Sequence, residues 1–380
     1  MQLVKVYSKE EVKEFIIQKL HLTPKTLGKT RNDVPLIIRD IGGLQYGGHR
    51  IELFNRFENS KSEWFDYWYE KHTIIDGHVL RGALRIVNAD EYPFYFKATR
   101  TVSRRRKYQK CPVSLSIEHY KALSFIERHG PFTPSEFKKL FSEKHPQLED
   151  KAKRLLYALY NYGKVARTGR KNNKPLYHSI EKLPYRLDMD DVSEKEGKKW
   201  LFLKALSIYG PFKLSDVAHW VGWTLTETRK ISETLLQEGK IVTANVADQR
   251  GHHYLRVNDI DFLDSLRNNL PDHAFIKILF NDDAFLLGCY RRLTDLFGYN
   301  WTYPQLSEGI AWRAAILYGR QLIGEAIVDM YTKDSVFKIR KLLLRREFAK
   351  TEVLCKIKNE FNRHAIFQNK TLQMSKPQLV

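Results

Sequence analysis

The chain has 380 residues, a formal net charge of +20 and an isoelectric point near 9.6. Its 43% hydrophobic and 13% aromatic content excludes wholesale disorder, and the length has room for roughly two to four domains. A positive surplus of this size repels itself unless a polyanion offsets it, which points to nucleic acid as the partner.

Ser8, with Glu11 three residues on and the pattern Val12, Phe15, Ile16, Leu20, predicts a capped amphipathic helix. A second helix is expected over 32–41, stopped by Gly42-Gly43, with 44–48 as a tight loop. Short aromatic helices follow over 50–57 and 62–70, and Leu and Ile alternating with Arg over 79–87 predict a strand. Residues 1–110 are thus read as an N-terminal helical, winged-helix-like domain, closing on a basic connector that contains Arg104 and Arg105.

One passage then occurs twice. His129-Gly130-Pro131-Phe132 returns as Tyr209-Gly210-Pro211-Phe212, and each copy is followed by a helix candidate (154–162, then 231–238), a Gly-Lys pair and two strands around a polar turn. Three helices and a hairpin make a winged helix, so 113–184 and 193–260 are read as tandem winged-helix (helix-turn-helix) repeats. Beyond them 270–335 is β-rich, with strands over 274–280, 311–318 and 322–328 and a hairpin turn at Gly319-Arg320-Gln321. A basic helix over 345–363 and a loose polar tail complete 336–380. The fold class is α+β, mainly α, with a small β-barrel-like domain at the C-terminal end.

Wing tips are where phosphate contacts belong. Arg167, Arg170, Lys171 and Lys174 in the first hairpin, and Arg250, His252 and His253 in the second, have suitable chemistry. Cys111, Cys289 and Cys355 are odd in number and far apart, which argues against a disulfide framework and for a reducing compartment. Gly28-Lys29-Thr30 lacks the earlier glycine of a phosphate-binding loop, and His252-His253 lacks companion ligands, so neither nucleotide, metal nor other cofactor is expected. No apolar run approaches about eighteen residues. A monomer in the cytoplasm, on the nucleoid and away from membranes, is the expectation.

The remaining motif is Gly42-Gly43-Leu44-Gln45-Tyr46-Gly47-Gly48-His49. Together with Arg81-Gly82-Ala83-Leu84-Arg85, the 278–299 stretch containing Arg291-Arg292, and Leu317 to Glu325, it resembles the AlkZ/YcaQ-type winged-helix DNA glycosylases in order along nearly the whole chain. The resemblance implies a concave cradle for double-stranded DNA and excision of alkylated or crosslinked bases, with Arg81, Arg85, Arg291 and Arg292 on the DNA side. It also implies that Gln45 positions the attacking water. Gly47 stands where the family carries a second polar residue, and Arg85 where it commonly has His. His49 and Asp40 are the neighbours able to supply the missing polar atom. Without the resemblance, Gln45 is equally a loop glutamine capping the preceding helix, and the protein a catalytically silent transcription regulator or structural DNA-binding factor.

Overall fold

The computed structural model describes residues 5–100, 114–172, 174–183, 189, 191–300, 311–329 and 335–379. Arg104, Arg105 and Cys111 lie outside the described residues.

Ser8 caps the first helix, Lys9–Lys19, as its spacing to Glu11 predicts. The Ser8 hydroxyl accepts from the Glu11 amide at 3.2 Å, and Val12, Phe15, Ile16 and Ile17 are buried. The next helix, Asp33–Asp40, stops at the glycine pair. Gly42 and Gly43 adopt φ of 76° and 92°, which lets the Gly43 amide fold back to donate to the Ile38 carbonyl at 2.9 Å. Two local expectations change. The segment after the glycines is not only a loop, because Leu44–Gln45 is a short strand pairing with Ile86 and Arg85. The strand expected over 79–87 is two strands, Ile74–His78 and Leu84–Asn88, broken by a turn in which Arg81 has a φ of 53°.

Each copy of the Gly-Pro-Phe passage is set between the same elements. Helices Ile117–His129, Pro134–Lys144 and Ala152–Asn161 precede the hairpin Val165–Lys171/Lys174–Ser179. Helices Glu194–Tyr209, Leu214–Val221 and Leu225–Gln237 precede Ile241–Val246/His253–Arg256. In both copies the phenylalanine exchanges backbone hydrogen bonds with a tyrosine of the second hairpin strand, Phe132 with Tyr177 and Phe212 with Tyr254. The hairpins differ in what they join. The first extends the N-terminal sheet through Asp76 opposite Arg167, so this sheet spans the boundary expected near 110–113. The second pairs in parallel with Lys5–Tyr7.

Asp76 holds the first junction. Its buried carboxylate accepts from the Arg167 guanidinium at 2.7 Å, the Tyr69 hydroxyl at 2.9 Å and the Tyr160 hydroxyl at 3.2 Å. Burial pushes this carboxyl up and Arg167 opposes the shift. Asp76→Asn leaves a buried guanidinium without its counter-charge, so urea unfolding should show a loss of about 3 kcal/mol.

The C-terminal sheet runs in the order Thr371–Met374, Val336–Leu344, Gln321–Asp329, Ala311–Tyr318, Ile276–Phe280. It curls as a half-barrel and does not close, since no pairing joins its two edges among the described residues. Helix Thr351–Phe367 buries Val353, Ile357, Phe361 and Ala365 against the sheet's Ile278, Phe280, Ile316 and Phe337. The tail is not loose: Thr371–Met374 and Gln378–Leu379 both pair in parallel with Val336–Leu344. With these strands added, the fold is mixed α/β, about half helical. No helix among the described residues is long and apolar enough to cross a membrane.

Candidate active site

The Leu44–Gln45 strand, the helix His49–Phe54 and the turn before helix Ala284–Cys289 converge on one buried carboxylate. Glu52 accepts from the Gln45 amide at 3.1 Å with one oxygen and from the Ala284 amide at 2.8 Å with the other. Burial and the neighbouring Asp283 push this carboxyl up to about 8, against Arg56, Arg85 and the Gln45 amide. The Gln45 side chain is half-buried and makes no hydrogen bond among the described residues. Capping of the preceding helix is done by the Gly42-Gly43 backbone, which leaves the Gln45 carboxamide available.

Beneath Glu52 lies the deepest ion pair of the site. Arg56 donates to both Asp283 oxygens at 2.8 and 2.7 Å and to the Glu52 carbonyl at 2.7 Å, with the two side chains 0% and 1% exposed. Asp283 also caps its helix by accepting from the Phe285 amide at 2.9 Å. None of Glu52, Arg56 and Asp283 was expected from the sequence. A charge in a short helix and another just past its end look the same in sequence whether they face water or the core. Replacing Glu52 with Gln presents an amide N–H to one of the two backbone donors, so Glu52→Gln should cost about 1–3 kcal/mol in urea unfolding.

The two residues expected to compensate for Gly47 do not do so. The Asp40 carboxylate is 2.9 Å from the His21 ring nitrogen, in a cleft with Lys19, Arg39 and Trp200 that Gln45 does not line. His49 is buried between Tyr46 and Phe65, with ring centroids at 5.7 and 4.5 Å. Burial, assisted by Arg50, pushes its imidazole down to about 3, and neither ring nitrogen meets a partner among the described residues. His49 is therefore a neutral aromatic wedge under the loop.

The profile of the family described as "DNA glycosylase AlkZ-like" matches residues 38–362. The chain belongs to the AlkZ-like DNA glycosylase family. Among solved structures it is similar to the Streptomyces sahachiroi DNA glycosylase AlkZ, at a TM-score of 0.71 and 13% identity, over 97% of this chain and 99% of that one. No curated protein matches it.

Within this AlkZ-like fold the predicted basic residues separate into two groups. Lys171, Lys174, Arg250, His252 and Arg291 are exposed, and Arg170 is half-buried. Lys171 pairs with Glu136 at 2.6 Å yet stays 58% exposed, and Arg291 lies 4.0 Å from Asp216. Arg81 is half-buried, 3.1 Å from the His219 ring. The others are internal, which corrects their assignment to a DNA-facing surface. Arg85 is 2% exposed and donates to the Gly43 carbonyl at 3.2 Å. Arg292 is 3% exposed and donates to the Tyr209 carbonyl at 2.7 Å, and Arg167 is held by Asp76. Arg85 thus lies inside the fold, on the strand paired with Gln45, and His253 of the second hairpin is likewise buried.

Proposed function

We propose that the protein is a monofunctional DNA glycosylase that removes N-alkylated purines from duplex DNA, with Gln45 positioning the water. The observation that carries this reading is the Gln45 side chain. It stands without a hydrogen bond among the described residues, on a strand whose own amide is fixed by Glu52, beside an open glycine turn. An N7-alkylguanine or N3-alkyladenine is already cationic. Its bond to C1′ breaks with the electron pair going to the base, which leaves neutral, and the sugar becomes oxocarbenium-like. Water then bonds to C1′ and loses a proton. A carboxamide oxygen that accepts a hydrogen bond from that water orients it without having to act as a strong base. The two helix-and-hairpin repeats are read as winged helices lining a DNA cradle, with the half-barrel along its edge.

Incubation with duplexes carrying these lesions should yield abasic sites detectable by alkaline strand cleavage. Tight DNA binding with no abasic product from methylated or bulky crosslinked substrates would instead establish the silent DNA-binding reading. The first hairpin gives a separate expectation. Lys171→Gln with Lys174→Gln should reduce the slope of log affinity against log salt by about 1–2, as loss of one or two phosphate contacts requires. An unchanged slope removes that hairpin from the DNA interface.

A further inference from the structure

We propose that Asp282 supplies, from the far side of the loop, the second polar group that Gly47 cannot. The inference rests on the glycosylase reading above and names a further residue for the same reaction.

Gly47 has a φ of 114°, a backbone state that residues with a Cβ rarely adopt, and no atom lies within 4 Å of where its Cβ would stand. The loop therefore runs in a glycine-only conformation that leaves room above position 47 and brings the chain down on its other side. There a Cβ on Gly48 would be 3.6 Å from the Asp282 Cβ and 3.6 Å from the Trp312 ring. Asp282 thus flanks the turn that immediately follows Gln45.

The spacing is held from below. Glu52 bonds the Gln45 amide with one oxygen and the Ala284 amide with the other, so the strand bearing Gln45 and the turn bearing Asp282 are fixed to a single carboxylate. The two adjacent aspartates have divided their tasks. Asp283 is consumed by Arg56 and the Phe285 amide, whereas nothing hydrogen-bonds the Asp282 carboxylate among the described residues. Asp282 is half-buried, and burial raises its carboxyl while Arg85 opposes the shift. A carboxylate in such surroundings is a better proton acceptor than one in open water.

In the reaction, the water oxygen bonds to C1′ as the C1′–N bond gives its electron pair to the departing base. The proton lost by that water passes to the Asp282 carboxylate and then to solvent. Before that transfer, the negative charge of Asp282 favours the oxocarbenium-like sugar.

The test is single-turnover base release by the full chain on an N7-alkylguanine duplex, with duplex affinity and melting temperature measured alongside. Asp282→Asn should lower the release rate about 100-fold with affinity and melting temperature unchanged, and Asp282→Glu should restore much of it. A rate for Asp282→Asn within about threefold of the parent overturns the inference. So does a rate loss accompanied by a fall in melting temperature and affinity, which marks a structural residue. The Gln45→Ala variant separates the two levels. If it loses activity while Asp282→Asn keeps it, Asp282 has no role and the Gln45 reading stands. If the parent protein releases no base, the glycosylase reading itself fails.

Discussion

Arg56→Ala is expected to lower stability by about 3–5 kcal/mol. The guanidinium is wholly buried, bonds Asp283 in bidentate fashion and reaches the Glu52 carbonyl, so its removal strands one buried carboxylate and unbalances a second. The loss reflects the broken pair more than the pair's net worth. Taking two ions out of water is expensive, and replacing both by apolar groups of similar volume is often neutral or stabilising. Arg56→Met combined with Asp283→Leu should therefore recover much of the loss of Arg56→Ala, although it also forfeits the helix cap on Phe285. Urea unfolding of the two single variants and the double variant checks this. Additive losses would show that the pair acts as two independent groups. Because Glu52 sits between Arg56 and the Gln45 amide, Arg56→Ala should also slow base release at temperatures where the protein is still folded.

Gln45→Ala should have the opposite profile: about 10²–10³-fold slower single-turnover release, with stability within about 0.5 kcal/mol of the parent. The side chain is half-buried and makes no hydrogen bond among the described residues, so truncating it strands no partner. The strand it occupies is kept by main-chain groups, through pairing with Arg85 and the bond from its amide to Glu52. Duplex affinity should barely change, because one neutral carboxamide adds little to binding dominated by phosphate contacts. A variant that releases base at the parent rate would remove Gln45 from the chemistry. One that melts early would show a structural role that the geometry does not contain.

Local signals were legible where they depend on neighbours in sequence. The Ser8–Glu11 box, the helix stop at Gly42-Gly43 and the turn at Gly319 are decided by backbone chemistry within a few residues, and all three are present. The repeat was legible for the same reason, since each copy carries the same phenylalanine for its own hairpin. The destination of charge was not. Arg85, Arg167 and Arg292 have the composition of a phosphate-binding surface, yet each is consumed inside the fold, by the Gly43 carbonyl, Asp76 and the Tyr209 carbonyl respectively. A count of arginines does not separate those that meet solvent from those that meet a buried acceptor contributed by a distant segment. Glu52 and Asp283 escaped notice for the converse reason. Their importance comes from contacts across more than two hundred residues of chain, and nothing local distinguishes them from ordinary acidic residues of short helices. The two tail strands were missed because they are short, exposed and paired with a partner made earlier.

The parallel pairing of Lys5–Tyr7 with Ala244–Val246 has a consequence for synthesis. The strand near the start of the chain has no sheet to join until the second hairpin has left the ribosome, after the whole first repeat. At about 5–20 residues per second that interval is ten seconds or more. Through it, the edge of Lys5–Tyr7 and the apolar face of helix Lys9–Lys19 lack the strand and helix that later cover them, including Ile260–Arg267. A nascent chain in that state presents an unpaired edge and apolar surface of the kind that promotes aggregation, and slow translation through the first repeat lengthens its exposure without altering a single contact of the finished protein.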